Sequence, residues 1–273
     1  MESVAGRTVL VTGAAMGLGK SFAERAVREG ASDVVLWDVN EQALKETAAE
    51  LTALGRTTIH SAVVDVSDRD AIAEAAAAAR AAVGVLDVLI NNAGIVRGNR
   101  YFWETTERAD IDKTVAINSL APMYITLEFL PDMVARRAPA RVLTIASSAA
   151  LVSNPRMSVY AASKWAALGW SDSVRLELEQ SGNGHVKVTT FCPTYIDTGM
   201  FKGAKGFWFT PIIDQDDAVE TAWSGMKKGR PLVVMPWTSR MNRAITGLLP
   251  LKVRDFYLNL VGVYHSMDDF TGR

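Results

Sequence analysis

The fold class is decided by the stretch Thr12-Gly13-Ala14-Ala15-Met16-Gly17-Leu18-Gly19. It lies between an apolar run at residues 8–12, which predicts a strand, and residues 21–27, whose spacing predicts a helix. Glycines in such a turn let the backbone approach a phosphate closely, and the helix N-terminus offers unpaired N–H groups to it. The pattern therefore favours a dinucleotide-binding loop over a turn whose glycines serve chain geometry alone.

The alternation of strand and helix continues along the chain. Further short apolar runs predict strands at residues 34–38, 58–64, 86–90, 141–146 and 186–191, and segments with helical spacing separate them. No linker rich in proline, glycine or serine divides the sequence. We therefore predict an α/β fold: a single Rossmann-type doubly wound parallel sheet flanked by helices, in one domain over residues 1–273. The carboxyl ends of the strands would share one edge, where such sheets bind ligands.

The nature of the nucleotide is predicted by Asp38, which ends the second predicted strand 19 residues after Gly19 (38 − 19 = 19). Nucleotide-binding folds place at this distance the acid that binds the ribose hydroxyls. A carboxylate there repels the 2′-phosphate of NADP, and Met16 and Asn40 offer no compensating positive charge. NAD is therefore the predicted cofactor. An alternative role for Asp38, as N-cap of the helix that follows Asn40, stays open.

The chemistry is suggested by Val159-Tyr160-Ala161-Ala162-Ser163-Lys164. On a helix, Tyr160 and Lys164 project from the same face, which brings a phenol beside an ammonium group. A tyrosine that acts as a base near pH 7 needs its pKa lowered by roughly 3 units, on the order of 4 kcal/mol. A cation about 4 Å away in a partly buried position supplies an interaction of that size. The pair is thus a candidate proton-transfer device, and a surface pair on an amphipathic helix is the alternative.

Composition excludes several other functions. The formal net charge of −1 gives no electrostatic basis for nucleic-acid binding. The lone cysteine, Cys192, fits a reducing compartment, and three dispersed histidines predict no metal site. No apolar run precedes Gly6, so we expect no signal peptide and a cytoplasmic location.

Together these motifs resemble the short-chain dehydrogenase/reductase family. The resemblance rests on the glycine turn, Asp65-Val66, Asn91-Asn92-Ala93-Gly94, Asn118, Tyr160-x-x-x-Lys164 and Ser147, which lies 13 residues before the tyrosine (160 − 147 = 13). Two positions depart from the usual pattern: Ala150 and Thr194 stand where the family has glycine. The segments 36–40, 197–201 and 266–270 are similar to a narrower branch, the retinol dehydrogenase and 17β-hydroxysteroid dehydrogenase-like proteins.

The resemblance implies a role for each matching position. Asn118, Ser147, Tyr160 and Lys164 would form a catalytic tetrad in which tyrosine transfers the proton, lysine lowers its pKa and holds the ribose, serine orients the substrate and asparagine anchors a water. The implied cofactor contacts are Gly13, Met16, Gly17, Leu18, Gly19, Asp38, Asp65, Val66, Asn92, Ala93, Gly94, Tyr160, Lys164, Pro193, Ile196 and Thr198. The expected substrate is a hydrophobic secondary alcohol or its ketone. An NADPH-linked oxoacyl or polyketide reductase and a catalytically silent NAD-binding regulator are the alternatives.

The region from about residue 203 onward is an apolar C-terminal extension that we expect to determine substrate choice. A pocket is predicted from Ser147, Tyr160, Thr194, Tyr195, Phe207, Trp208 and Phe209, with the last three residues as a lid. For the tail we favour packing on the protein's own core or on a partner subunit over contact with a membrane surface, and a wall of the pocket is compatible with it. Apolar surface on helices 122–137 and 158–180 predicts a homodimer or homotetramer. The aromatic residues at 101–103 are expected to pack within the protein.

Overall fold

Seven parallel strands form the central sheet of the described part of the chain. The computed structural model describes residues 1–97, 100–197, 210–268 and 270. The strands are β1 (Thr8–Thr12), β2 (Asp33–Asp38), β3 (Thr58–Val63), β4 (Val88–Asn91), β5 (Ala140–Ile145), β6 (Val186–Pro193) and β7 (Leu232–Met235). Their spatial order is β3-β2-β1-β4-β5-β6-β7, and every neighbouring pair is parallel. This is the doubly wound arrangement that the strand and helix alternation predicts.

Helices cover both faces of the sheet. They are α1 (Gly17–Arg28), α2 (Glu41–Leu54), α3 (Arg69–Val83), α4 (Arg108–Val115), α5 (Ala121–Ala135), α6 (Ser158–Gln180), α7 (Gln215–Lys227), α8 (Trp237–Leu248) and α9 (Leu251–Leu260). Alternate strand residues feed two cores: Val9 and Val11 pack with α1, α2 and α7, whereas Leu10 packs with α3 and α5. Because both faces are covered, β1, β4 and β5 are buried along their whole length, whereas β3 at the edge of the sheet is partly exposed.

The reversal of strand order places the binding edge. β1 lies between β2 and β4, so the chain leaves β1 toward one side of the sheet and later returns to the other. A crevice opens at such a point outside the carboxyl ends of the strands. Gly13, Asp38, Asn91, Ser147 and Pro193 each follow or end a strand at this edge. The predicted convergence of these residues on one edge is confirmed.

Several element bounds differ from the sequence-based prediction. α1 begins at Gly17 rather than near Ser21, so the last glycines of the turn belong to its first helical turn. The chain from Arg108 to Ala135 is helical throughout, with a π-helical turn over Ala116–Leu120 between α4 and α5. The C-terminal apolar region forms two helices, because a proline at 250 cannot continue α8 and instead caps α9. None of the helices in the described ranges is both long enough and apolar enough to span a lipid bilayer.

The aromatic residues at 101–103 are not buried. Tyr101, Phe102 and Trp103 have exposed fractions of 39%, 58% and 80%. The rings of Tyr101 and Trp103 stack on each other with centroids 4.9 Å apart, and the Arg156 guanidinium lies 4.8 Å from the Tyr101 ring centre. The expectation that they pack within the protein is wrong, since two of them pack mainly on each other at the surface.

Candidate active site

The glycine turn after β1 is built by backbone geometry that side chains would disturb. Gly13 and Gly17 have φ values of +63° and +55°, in the left-handed region that favours glycine. Gly19 has a different requirement: a Cβ there would collide with the carbonyl oxygen of Gly13 and approach Asn92 Nδ2 to 2.6 Å. The N-terminus of α1 is therefore held directly against the end of β1, with its N–H groups at the binding edge.

A hydrogen-bond lock joins this turn to the segment after β4. Thr12 Oγ1 accepts from the backbone N–H groups of Asn92 and Ala93, both at 3.0 Å. In return Asn92 Nδ2 donates to the carbonyl oxygens of Thr12 at 2.9 Å and Gly13 at 3.1 Å. Thr12 has a positioning role that the sequence analysis did not assign. The sequence feature that could have indicated this role is the location of Thr12 directly before the first glycine of the motif.

A groove of about 470 Å³ runs along this edge. Its lining contains nearly all the predicted cofactor contacts: Gly13, Met16, Gly17, Leu18, Asp38, Asp65, Val66, Asn92, Ala93, Gly94, Tyr160, Lys164, Pro193 and Ile196. Gly19 supports the turn from beneath rather than lining the groove, and Thr198 lies outside the described residues. Groove residues that the sequence analysis missed include Val39, Ile117, Ala146 and Arg97.

Two glycines let neighbouring segments of the groove pack closely. A Cβ on Gly13 would come within 3.0 Å of the Ala93 backbone, and one on Gly94 would lie 3.3 Å from Asn118 Oδ1 and 3.4 Å from Lys164 Nζ. Glycine at these positions lets the segments after β1 and β4 meet beside the N-terminus of α1, where folds of this kind hold a pyrophosphate.

Asp38 is fixed at the end of β2. Its Oδ2 atom accepts from the backbone N–H of Ala15 and its Oδ1 atom accepts from that of Asn40, both at 2.9 Å. The N-cap of α2 is Asn40, whose side chain accepts from the N–H of Ala43 at 3.1 Å. The alternative role of Asp38 as that N-cap is therefore wrong, and its carboxylate instead joins the glycine turn to β2 at the groove.

Ser147, Tyr160 and Lys164 come together where β5 ends against α6. Their exposed fractions are 8%, 4% and 4%. The hydroxyls of Ser147 and Tyr160 are hydrogen-bonded, and Ser147 Oγ also accepts from the Ala149 N–H at 3.1 Å. Lys164 Nζ donates to the carbonyl oxygen of Ile145 at 2.9 Å and lies 5.8 Å from the Tyr160 ring centre. Because these groups are buried, the surface-pair alternative is wrong.

Burial controls the pKa of both titrating groups. It raises the pKa of Tyr160 above its usual value of 10.0, and the hydrogen bond from Ser147 opposes this only in part. It lowers the pKa of Lys164 from 10.5 to about 8. The sequence-based expectation that Lys164 lowers the pKa of Tyr160 is not met by the protein groups alone. The physical reason is that desolvation penalises both charged forms, and the ammonium points to the Ile145 carbonyl rather than to the phenol.

Asn118 lies in the middle of the π-helical turn and is 1% exposed. Its Oδ1 atom accepts from the Ile95 N–H at 2.9 Å, while Nδ2 donates to the Ile95 carbonyl at 2.9 Å and to Ser163 Oγ at 3.1 Å. Ser163 Oγ in turn donates to the Tyr160 carbonyl at 2.7 Å. Asn118 thus connects the segment after β4 with the first turn of α6. Such π turns often occur at functional sites, because the extra residue redirects side chains locally.

A second cavity of about 50 Å³ adjoins the groove at Ser147, Tyr160 and Thr194, which line both spaces. Its remaining walls come from the segment after β5, from Tyr195 and from the C-terminal helices: Ser148, Ala149, Leu151, Val152, Asn154, Met157, Ser239, Asn242, Leu258 and Val263. The four described members of the predicted substrate pocket therefore meet in one place. Phe207, Trp208 and Phe209 lie outside the described residues.

Thr194 has an unusual position between the two spaces. It is 6% exposed, its N–H donates to the Met235 carbonyl at 3.0 Å, and its Oγ1 atom is buried without a hydrogen-bond partner among the described residues. A buried hydroxyl without a partner costs about 1–3 kcal/mol. The residue lines both the groove and the cavity, whereas the hydroxyl oxygen itself is not accessible to solvent.

Comparison with known proteins agrees with this geometry. A family model described as short chain dehydrogenase matches residues 7–206. The chain therefore belongs to the short-chain dehydrogenase/reductase family. Within that family it falls in the branch of retinol and 17β-hydroxysteroid dehydrogenases. It is 34% identical to mouse epidermal retinol dehydrogenase 2, over 100% of this chain and 87% of that protein. It is 33% identical to human estradiol 17-beta-dehydrogenase 11, over 91% of this chain and 81% of that protein.

Solved structures share the fold over most of the chain. A short chain dehydrogenase/reductase from Burkholderia phymatum, in complex with NAD, matches with a TM-score of 0.81 and 25% identity, covering 95% of this chain and 97% of the other. A metagenomic short-chain oxidoreductase in complex with NADP matches with a TM-score of 0.71 and 28% identity, covering 85% and 96%. Both cofactors therefore occur among similar proteins, and the choice between them rests on the residues of this chain.

Proposed function

We propose that this oxidoreductase interconverts a hydrophobic secondary alcohol and its ketone, with NAD(H) as the cofactor. The observation that carries the proposal is the hydrogen-bonded pair of Ser147 and Tyr160 hydroxyls. Both residues line the groove and the adjoining cavity, so a substrate oxygen in the cavity reaches both hydroxyls next to the cofactor groove. A substrate bound in this way can exchange a proton with a hydroxyl at its oxygen and a hydride with the cofactor at the adjacent carbon.

The residues of the chain have separate tasks in this proposal. Bound in the groove, the nicotinamide supplies or accepts the hydride. Ser147 donates a hydrogen bond to the substrate oxygen and orients it. Tyr160 removes the hydroxyl proton during oxidation and returns it during reduction. Lys164 holds a ribose hydroxyl and, when protonated, favours the phenolate form of Tyr160. Asn118 hydrogen-bonds to Ile95 and to Ser163, and so holds the first turns of α6 in a fixed position beside the groove.

Asp38 supports NAD rather than NADP as the cofactor. Its carboxylate lines the groove and is held by the N–H groups of Ala15 and Asn40. Lys164 and Arg97 are the cations among the described lining residues, and they follow other strands of the sheet. Arg97 comes after β4, and β4 itself lies two strands, about 10 Å, from β2. A 2′-phosphate at Asp38 would therefore meet like charge without a nearby compensating group.

The preference for a hydrophobic substrate rests on the cavity walls and on the relatives. Leu151, Val152, Met157, Leu258 and Val263 provide apolar surface around the reacting position. The enclosed volume of about 50 Å³ takes only a few heavy atoms, so the bulk of a steroid-like, retinoid-like or aryl substrate has to extend beyond the enclosed walls. The similar retinol and estradiol dehydrogenases are named for such molecules.

A spectrophotometric assay of NADH formation tests the proposal, using a series of secondary alcohols of increasing apolar size. We expect kcat/KM to rise along the series with NAD and to be much lower with NADP. Tyr160→Phe is the control, since it keeps the groove and removes the proton carrier. A strict preference for NADPH and acyl thioester ketones would favour the oxoacyl reductase alternative, and NAD binding without turnover of any alcohol or ketone would favour the silent regulator.

We also propose a homodimer or homotetramer. Leu127 on α5 and Trp165 and Leu176 on α6 are 66%, 49% and 51% exposed, which leaves apolar surface for a partner subunit. Light scattering at about the monomer mass of 29.6 kDa would contradict this. Cytoplasmic location also stays a proposal, supported by the single, buried cysteine.

A further inference from the structure

The two C-terminal helices, α8 and α9, have an inner and an outer face. On the inner side, Ser239 and Asn242 of α8 and Leu258 of α9 line the cavity beside Tyr160. The Tyr257 hydroxyl donates to Asn242 Oδ1 at 2.6 Å, which holds the two helices against each other. The helices are therefore a packed pair that covers the proposed substrate cavity.

The outer faces of this pair are apolar and exposed. On α8, Trp237, Met241 and Leu248 have exposed fractions of 68%, 45% and 87%, and at 100° per residue they lie within an arc of about 40°. On α9, Val253, Phe256 and Leu260 are 49%, 70% and 63% exposed and lie within about 60°. Each stripe is as narrow as the buried stripe of an ordinary amphipathic helix, yet it points away from the protein. Scattered exposed apolar residues need no explanation, but two ordered stripes on one helix pair do.

Positive charge accompanies both stripes. The sequence contains no aspartate or glutamate from residue 221 to residue 254. Arg240 and Lys252 are exposed at the flanks of the two stripes, and neither of them forms an ion pair within the described ranges of the chain. Arg254 is the exception, since it pairs with Asp255 at 2.9 Å. Arg243 is also exposed, but it lies about 140° from the apolar stripe of α8, on the side of Ser239. Apolar side chains with flanking unpaired cations are typical of helices that lie in the plane of a lipid surface, where the long basic side chains reach the phosphate groups.

A second copy of the chain fits this face less well. A two-fold interface brings the same patch of each subunit together. It would therefore bring Arg240 and Lys252 of both copies into one interface, and the segment from residue 221 to residue 254 supplies no carboxylate to pair with them. An anionic lipid surface satisfies the cations and covers the apolar stripes at the same time.

We propose that the outer faces of α8 and α9 form a docking surface for a membrane that contains anionic phospholipids. Trp237, Phe256 and their neighbours enter the boundary between headgroups and acyl chains, and Arg240 and Lys252 contact lipid phosphates. The helices lie on the surface and do not cross it. A consequence that rests on the proposed function is that the substrate cavity lies directly behind the docked helices, so a hydrophobic alcohol dissolved in the membrane has a short path to Tyr160.

Vesicle flotation of the full chain tests the docking itself. Vesicles of phosphatidylcholine alone are compared with vesicles that also contain phosphatidylserine, at low and high salt. We expect stronger binding to the anionic vesicles and weaker binding at high salt. Arg240→Gln with Lys252→Gln should weaken binding about 30-fold, from about fivefold per cation. Phe256→Ser should weaken it roughly tenfold or more.

Matched controls distinguish binding through this surface from nonspecific hydrophobic adsorption to vesicles. Trp103→Ser removes an aromatic side chain that is 80% exposed on a different part of the surface and should leave vesicle binding unchanged, whereas Trp237→Ser should reduce it. Circular dichroism and thermal melting confirm that each variant is folded. Equal loss in both tryptophan variants, binding indifferent to phosphatidylserine, or no binding at all would overturn the proposal. So would a shift of Trp237→Ser or Phe256→Ser to a smaller oligomer in light scattering, because it would show that a second subunit covers the face.

Failure of the docking and failure of the proposed function are distinguishable. Tyr160→Phe should bind vesicles like the natural protein while losing turnover. The outer-face variants should keep turnover of a water-soluble secondary alcohol and lose turnover of an alcohol embedded in vesicles. An unchanged rate on the embedded alcohol in variants that no longer bind vesicles would refute delivery from the membrane.

Discussion

Replacing Lys164 by methionine should stabilise the protein near neutral pH while abolishing its activity. Lys164 is 4% exposed, its ammonium donates to the Ile145 carbonyl oxygen, and burial lowers its pKa from 10.5 to about 8. At 1.36 kcal/mol per pKa unit, keeping the side chain protonated in the fold costs about 3 kcal/mol below pH 8. Methionine removes this cost and loses a hydrogen bond worth about 1 kcal/mol. The net gain should be about 2 kcal/mol.

The pH dependence identifies the source of this gain. Between pH 8 and pH 10.5 the unfolded chain still binds the lysine proton while the folded chain has released it. Unfolding then takes up a proton, so the stability of the natural protein rises with pH in this window. The advantage of Lys164→Met should shrink to near zero at pH 10. Tyr160, whose pKa is raised, affects both proteins equally and begins to titrate in the unfolded chain only near pH 10.

Urea denaturation at several pH values between 7 and 10 measures this difference, and thermal melting at pH 7 should show a rise of about 4–8 °C. Lys113→Met is the control, since that lysine is exposed and should change stability by less than about 0.5 kcal/mol. A Lys164→Met protein that is less stable than the natural one at pH 7, or a stability difference that does not depend on pH, would refute the argument. In either case the ammonium would not be a desolvated cation.

Three further outcomes follow from the site. Tyr160→Phe should lower turnover by about 10²–10⁴-fold and leave NAD affinity within a few-fold, measured by steady-state kinetics and fluorescence titration; a loss below tenfold would mean that another group moves the proton. Asp38→Ser should raise kcat/KM with NADP relative to NAD, and an unchanged ratio would contradict the charge argument. Gly19→Ala should destabilise the fold by about 1–3 kcal/mol and weaken NAD binding, because its Cβ meets backbone, whereas Gly169→Ala has open space within α6 and should stabilise by about 0.5–1 kcal/mol in the same urea titration.

Much of the fold was readable from local sequence. The strands β1 and β2 each contain a continuous apolar run because both faces of a parallel sheet are covered, and such runs stand out from the helical spacing between them. The glycine turn, Asp38 and the Tyr160–Lys164 spacing were recognisable because each depends on residue type at short range. The predicted bounds that differ from the structure are helix ends. The π turn around Asn118 has no local sequence signal that distinguishes it from an ordinary helix.

The sequence by itself determined the doubly wound sheet, the binding edge and the identity of the residues at the site. Tertiary structure alone decided how those residues behave. Tyr160 and Lys164 have their pKa values set by burial, and Thr12 and Asn92 lock two segments about 80 residues apart in the chain. The orientation of the C-terminal helices also could not be predicted from sequence. Apolar residues at helical spacing occur on both sides of α8 and α9, and only packing decides which side covers the cavity and which side faces outward. The reason is that desolvation and contact depend on the surroundings of a side chain, which a pattern along the chain does not contain.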